Sequence, residues 1–196
     1  MNDGDHVVEE ATLVHRARNG DPDAFRELVE RSMKFVYRLA YDLTGNRQDA
    51  EDLSQEVFLK AHRSLPSFRG TSKWTTWLYR ITVNAGIDAR KMKKHIVTEY
   101  DDDSMAGGSG QSRPNAPDRI ADAAMIQAKI EHALSGLSPN ERSVFVLRHY
   151  HDLPLRQIAE ILDVAEGTVK SHLFRAVQRL QKDLAMFRKE YGLEEA

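Results

Sequence analysis

Leu155-Arg156-Gln157-Ile158-Ala159-Glu160-Ile161-Leu162-Asp163-Val164-Ala165-Glu166-Gly167-Thr168-Val169-Lys170-Ser171-His172 is the stretch on which the fold turns. Leu155 to Leu162 places Ile158, Ala159 and Leu162 at helical spacing, and Asp163-Val164-Ala165 supplies a turn. From Glu166 to Leu180 the spacing predicts a longer helix with Val169, Leu173, Ala176, Val177 and Leu180 as its inner stripe. The small Ala159 lets the two helices cross closely, as a helix-turn-helix requires. Thr168, Lys170, Ser171, His172, Arg175 and Arg179 occupy the outer face of the second helix. In the first turns of such a helix, Lys and Arg read guanine in the major groove and Thr or Ser read several bases. The positive N-terminal end also attracts phosphate. A helical hairpin with solvated cations has the same periodicity, but turn length, small residue and basic face coincide here, which favours DNA binding.

Working outward, Ser138-Pro139-Asn140-Glu141 is a capping box with proline at the first helical position, so another helix starts there. Helices are expected to resume at about Ala121. Before it, residues 96–120 change character: an acidic cluster from Glu99 to Asp103, then Gly107-Gly108-Ser109-Gly110, Pro114 and Pro117 read as a flexible linker. Upstream again, Asp21 and Pro22 open a helix whose stripe is Phe25, Leu28, Val29, Val36, Leu39, Ala40 and Leu43, and Thr44-Gly45-Asn46 ends it. A second helix is expected from Arg47 to Arg63 around Ala50, Leu53, Val57 and Ala61, stopped by Pro66. A third begins near Ser72 or Lys73, with Trp74, Trp77, Leu78, Ile81 and Ala85 facing inward. No strand pattern is present. The expected fold is all-α: two small helical domains, residues 9–95 and 121–189, joined by the linker, with frayed ends at Met1–Val8 and Glu190–Ala196.

At 196 residues with 41% hydrophobic content, the chain is long enough for two small cores. No apolar run reaches the ~20 residues of a membrane helix. Met1 to Glu10 lacks the basic start and apolar stretch of a secretory signal. Cysteine is absent, which excludes disulfides and thiolate zinc sites. These features predict a cytoplasmic protein without membrane insertion. The net charge of −2 hides an uneven distribution. Arg69, Lys73, Arg80, Arg90, Lys91, Lys93 and Lys94 face Asp88 alone, whereas Asp49, Glu51, Asp52 and Glu56 form an acidic zone. Patches of opposite sign suit a protein with more than one kind of partner.

In the third helix Trp74, Trp77 and Tyr79 stand beside Lys73, Arg80, Asn84, Lys91 and Lys94, a mixture that binds single-stranded nucleic acid by stacking and charge. Tryptophans at helical spacing also build cores. Trp77 is expected in the core and Trp74 divided between core and surface, with Arg80, Asn84, Asp88 and Lys91 as the contact stripe. In the second helix, Asp49, Asp52, Glu56, Lys60 and Arg63 lie opposite the core; that face is either solvated or docks on a basic protein surface.

Three segments taken together carry a family pattern: Asp49-Ala50-Glu51-Asp52-Leu53-Ser54-Gln55-Glu56-Val57-Phe58, Phe68-Arg69-Gly70 through Trp77-Leu78-Tyr79-Arg80-Ile81, and Gly167-Thr168-Val169-Lys170-Ser171. In this order, spread over nearly the whole chain, they resemble the extracytoplasmic-function (ECF) sigma factors, the small two-domain group of the sigma-70 family. The resemblance implies a bacterial RNA polymerase sigma factor that initiates transcription by binding core polymerase at its β′ clamp and β flap. It implies that Asp49, Asp52, Gln55 and Glu56 dock on the clamp coiled coil. The loop from Phe68 to Lys73, with Arg69, would capture a flipped base, and Arg80, Asn84, Asp88 and Lys91 would contact and melt the minus-ten element. Thr168, Lys170, Ser171, His172 and Arg175 would read the minus-thirty-five element. The linker would thread toward the active-site and RNA-exit channels, and an anti-sigma factor would hold the protein inactive. His172, Ala165 and Leu155-Arg156-Gln157 depart from the family's usual residues at those positions.

A linker of about 25 residues reaches at most roughly 80–90 Å, enough for both domains to hold one promoter at once. Two other readings compete. A stand-alone helix-turn-helix repressor or activator would use the same second domain, but leaves the Trp- and base-rich third helix and the acidic second helix without a role. An enzyme would need Asp49 and Asp52 as paired carboxylates or His149-Tyr150-His151 as metal ligands, and solvated surface residues account for both. No phosphate-cradling glycine loop or nucleophile–base set is visible, so no catalysis, cofactor or metal is expected.

Overall fold

The computed structural model describes residues 3–70, 72–100 and 128–190, all of whose regular structure is helical. The first domain is built from α1 (Asp3–Arg18), α2 (Pro22–Thr44), α3 (Arg47–Ser64), a short 3-10 turn (Leu65–Ser67) and α4 (Trp74–Tyr100). Local chemistry sets most of these boundaries. Asp21, extended at φ −77°, accepts hydrogen bonds from the backbone N–H groups of Asp23 (3.0 Å) and Ala24 (3.1 Å), and Pro22 follows it. Gly45 ends α2 in the left-handed region at φ 82°, where its N–H reaches the Tyr41 carbonyl at 2.8 Å. Asn46 then caps α3 by accepting from the Asp49 N–H at 2.9 Å.

Leu28, Val36 and Ala40 of α2, Ala50, Leu53, Val57 and Ala61 of α3, and Trp74 and Leu78 of α4 form the first core. Leu13, Val14 and Ala17 of α1 close it. Met1–Val8 is expected to be frayed, yet α1 begins at Asp3. Its apolar face, anchored by Leu13, Val14 and Ala17, lies on α2, and Glu9 takes an ion pair from Arg31 at 2.7 Å. The stop expected at residue 95 also moves. α4 runs on to Tyr100, because residues 96–100 contain no glycine or proline to break it. The rest of the expected linker, and the helix start near Ala121, lie outside the described residues.

The second domain comprises α5 (residues 128–135), α6 (Pro139–His149), α7 (Leu155–Leu162) and α8 (Glu166–Glu190). The capping box is complete: the Glu141 N–H donates to Ser138 Oγ (3.3 Å) and the Ser138 N–H to Glu141 Oε2 (3.0 Å). Burial alone would push the Glu141 carboxyl up, but the Ser138 hydrogen bonds and nearby Arg179 and Arg175 hold it below its ordinary value. Ser138→Ala removes one half of the box and is expected to cost about 1 kcal/mol, read as a lower denaturation midpoint with unchanged slope. α7 and α8 meet through Asp163, which adopts the left-handed conformation at φ 54° and donates its N–H to the Ala159 carbonyl. α8 continues ten residues past the expected stop at Leu180, to Glu190.

The two domains share apolar contacts. Leu39 and Leu43 of α2 and Val83 and Ile87 of α4 form one buried cluster with Val144, Val146 and Leu147 of α6, Ile158, Ala159 and Ile161 of α7, and Val169 of α8. A flexible tether predicts two independent bodies; here the helix-turn-helix lies against α2 and α4.

Candidate nucleic-acid interface

On α3, Asp52, Gln55 and Glu56 are exposed and Asp49 is half-buried beside its cap. Glu56 pairs with Lys60 at 2.7 Å one turn on, and Glu51 with Arg47 at 2.8 Å. Leu59, 57% exposed, sits on the same outer surface and gives it an apolar spot beyond the residues expected there. Such a spot inside a charged rim is how a protein-docking face is commonly built.

The loop into α4 is anchored by aromatics. Phe68 is buried and packs against Trp77 (ring centroids 4.7 Å) and Trp74 (6.4 Å). Trp74 and Trp77 reverse the expected assignment. Trp74 is only 2% exposed, with its indole N–H donating to Ser32 Oγ at 2.9 Å, while Trp77 is the half-buried one. The reason is that α4 starts at Trp74, whose ring fills the gap between α2 and the 3-10 turn, with a hydroxyl positioned to meet its N–H. Neither buried ring face of Trp74 is free to stack a base. Arg69 and Lys73 are exposed on either side of the anchor, Gly70 takes φ 69°, and Thr71 lies outside the described residues.

Arg80, Asn84, Asp88 and Lys91 form one exposed stripe on α4, as their spacing predicts. Asn84, Asp88 and Lys91 line a cleft of about 380 Å³ whose opposite wall is Asn140, Leu162, Val164 and His172 of the second domain. Arg80 donates to the Glu160 carbonyl at 2.7 Å. Further along, Arg90 reaches the carbonyls of Ser135 (3.1 Å) and Leu137 (3.2 Å). Burial, and then the nearby Arg142, push the Arg90 guanidinium below its ordinary value.

On α8, Thr168, Lys170, Ser171 and Arg175 are exposed together, while His172 turns half-buried toward the α4 cleft. Four of the five residues expected to read DNA therefore share a face, and the fifth does not. Lys170 pairs with Glu166 at 2.8 Å, and the Glu166 carboxyl is held below its ordinary value chiefly by that bond. The Ser171 hydroxyl donates to the Gly167 carbonyl (2.9 Å), and Arg175 Nε to the Ser171 carbonyl (3.2 Å). Phe174, 63% exposed, extends this face. A basic groove of about 460 Å³ follows, lined by Arg175, Gln178, Arg179, Gln181 and Lys182. Phe174 and Gln178 lie four and eight residues beyond Lys170, a spacing that could have found both.

His151 is expected at the solvated surface, but its side chain is 7% exposed. It sits between Asp42 Oδ2 (3.1 Å from Nε2) and the Tyr79 hydroxyl (3.2 Å from Nδ1), while His149 lies against Phe145. Among the described residues no group of three or more His, Asp or Glu side chains is arranged to hold a metal ion, and no helix is long and apolar enough to cross a membrane.

The comparisons agree with this arrangement of modules. Residues 28–96 match the family model Sigma-70 region 2 and residues 127–180 the model Sigma-70, region 4. The chain is 33% identical over 178 residues to the ECF RNA polymerase sigma factor SigW of Bacillus subtilis, covering 87% of this chain and 94% of that one. It is 32% identical over 176 residues to the ECF RNA polymerase sigma-E factor of Escherichia coli, covering 86% and 91%. Among solved structures, CnrH in complex with the cytosolic domain of CnrY shares the fold with a TM-score of 0.63 at 21% identity, over 90% of this chain and 97% of that one. The sigma factor RpoE from Bartonella quintana, in complex with the anti-sigma factor NepR, gives 0.59 at 24% identity over 82% and 96%. A repressor or activator acting alone has no use for region 2 with its acidic α3 face. With both regions present in order, and relatives matched over nearly their full length, the chain belongs to the ECF group of the sigma-70 family and is an RNA polymerase sigma factor.

Proposed function

We propose that the α3 face of Asp49, Asp52, Gln55 and Glu56 docks on the β′ clamp of core polymerase and that the second domain contacts the β flap. Arg69 and Lys73 in the loop, with Arg80, Asn84, Asp88 and Lys91 of α4, take the minus-ten strand. Thr168, Lys170, Ser171 and Arg175 read the minus-thirty-five duplex, with Phe174 beside them and His172 joining once the domains part. The observation that carries this reading is the opposite charge bias of two separate helix faces: Asp49, Asp52 and Glu56 on α3, and Lys170, Arg175, Arg179 and Lys182 on α8. Acids would repel DNA, so the α3 face suits a basic protein partner.

The chain acts by binding rather than catalysis. Holding bases out of the stack offsets a few kcal/mol of unstacking, so opening the duplex consumes no fuel supplied by this protein. An anti-sigma factor is a further proposed partner, supported by the sigma factor RpoE of the same fold, which was solved in complex with the anti-sigma factor NepR. The place of action is the cytoplasm, where polymerase meets promoter DNA.

Paired substitutions test the assignment. Asp52→Ala is expected to weaken binding to core polymerase by roughly tenfold and to leave the second domain's affinity for DNA intact. Lys170→Ala is expected to weaken holoenzyme binding to its promoter by about 1–2 kcal/mol, the lower part of the range for a base contact, because Lys170 first gives up its pair with Glu166. Unchanged affinity of Asp52→Ala for core polymerase would sink the docking assignment.

A further inference from the structure

Glu166 and Lys170 stand one turn apart at the start of α8, both exposed, with the Lys170 ammonium 2.8 Å from the Glu166 carboxylate. Arg156, in the first turn of α7, adds a second positive charge near that carboxylate. Held by the Lys170 hydrogen bond and, from further off, by Arg156, Glu166 stays ionised and can only accept. An exposed ion pair of this spacing stabilises a helix only slightly, so it opens at little cost. The first turns of such a helix are the part that meets base edges in the major groove.

Across the major groove a G·C pair presents, in order, guanine N7 and O6 as acceptors and the cytosine N4 amino group as donor. O6 and N4 are bonded to each other across the pair, about 2.9 Å apart, the ordinary length of such a bond. The donor and acceptor on α8 have nearly the same separation. The ion pair is therefore the chemical complement of that edge, its ammonium matching N7 and O6 and its carboxylate matching N4. Exchanging guanine and cytosine sets the carboxylate against two acceptors and the ammonium against an amino group. An A·T pair offers one donor between two acceptors. In either orientation the carboxylate then has an acceptor on its far side, and the ammonium finds one acceptor instead of two.

We propose that Glu166 is a specificity-determining residue of the second domain, which with Lys170 reads a single G·C base pair from both edges: Lys170 on guanine N7 and O6, Glu166 on cytosine N4. This rests on the assignment of α8 to duplex DNA made above and deepens it. On the matching pair the two side chains give up each other and each gains a base. On any other pair Glu166 is left facing an acceptor and holds Lys170 back. The acid thus raises the cost of wrong sequences more than the affinity for the right one. A carboxylate in a first turn also suits the positive end of a helix, but that role predicts a loss of helix stability on its removal and no base preference.

The test uses holoenzyme assembled from the full chain and bacterial core polymerase, equilibrated with a randomised duplex library whose bound and unbound fractions are sequenced. At one minus-thirty-five position the parent is expected to favour G·C over every other pair by roughly tenfold. Glu166→Ala is expected to cut that preference to about twofold, by admitting the other pairs, and Lys170→Ala to relax the same position. Selection at the remaining positions, unchanged in both variants, shows that they are folded. Removing a negative charge near phosphate tightens binding to all sequences alike. If that uniform gain is all that Glu166→Ala produces, the proposal is overturned, and so it is if the two variants relax different positions. Relaxation by Lys170→Ala alone strikes the role of Glu166 and spares the reading of α8; no relaxation by Lys170→Ala removes both.

Discussion

Trp74→Ala is expected to destabilise the first domain by roughly 3–5 kcal/mol, the usual cost of emptying a large buried aromatic site. The ring is 2% exposed and stands at the junction of α2, the 3-10 turn and α4. Three losses add there: apolar area returned to water, a cavity that helices on three sides cannot close, and the hydrogen bond to Ser32 Oγ, itself on a residue 6% exposed. Phe68 also loses a neighbour, so the loop bearing Arg69 and Lys73 loosens. Urea unfolding followed by circular dichroism reads the stability. Trp74→Phe separates the contributions, retaining most of the packing and discarding the N–H donor. A loss for Trp74→Ala below about 1 kcal/mol, the size of a surface effect, would mean that the ring does not hold this junction together.

Arg142→Ala is expected to cost roughly 3 kcal/mol, at the low end for breaking a buried ion pair, because its partner Glu131 retains 20% exposure. The guanidinium is 1% exposed; one nitrogen serves both the Asp42 carbonyl and Glu131 (3.1 Å), while Nε is buried without a hydrogen bond. That unmet donor means the site already carries a desolvation cost. Arg142→Met keeps the apolar stem and removes both the charge and the orphan N–H. It is expected to recover at least half of what alanine loses, as buried ion pairs replaced by well-packed apolar groups commonly do. Thermal melts of the three proteins side by side decide it; equal losses for Met and Ala would show that the charge, rather than the stem, carries the site.

What was legible in the residues was local chemistry. Asp21-Pro22, Gly45-Asn46 and Ser138-Pro139-Asn140-Glu141 act through hydrogen bonds within four residues of themselves, so each helix boundary they predict is where the structure has it. The helix Leu155–Leu162 was read to the residue, because its start and turn are equally local. What failed depended on distant partners. Among the described side chains of α1 the buried apolar ones are Leu13, Val14 and Ala17, too weak a stripe to declare a helix without α2 beside it. Trp74 and Trp77 have the same residue type and the same periodicity, and only the position of Ser32, 42 residues away in sequence, decides which is interior. Arg142 follows a capping box like any solvated arginine; its burial comes from α2 and α5.

The candidate sites divide in the same way. The outer faces of α3 and α8 follow from helical phase and lie where phase puts them, His172 excepted. The contact between domains involves Val83 and Ile87, which lie outside the stripe of Trp74, Trp77, Leu78, Ile81 and Ala85. Spaced four apart on a flank of that helix, they form a second apolar edge, and a surface helix with two such edges needs two neighbours. His151 likewise owes its burial to Asp42 and Tyr79, 109 and 72 residues away in sequence.

Leu39, Leu43, Val83 and Ile87 make an oily seam that water does not tolerate bare. Any machine that pries the halves apart must therefore lay greasy surface of its own over the seam, or leave the protein prone to clumping while it stands ajar. Loading onto such a machine is then an exchange of one cover for another rather than a simple release.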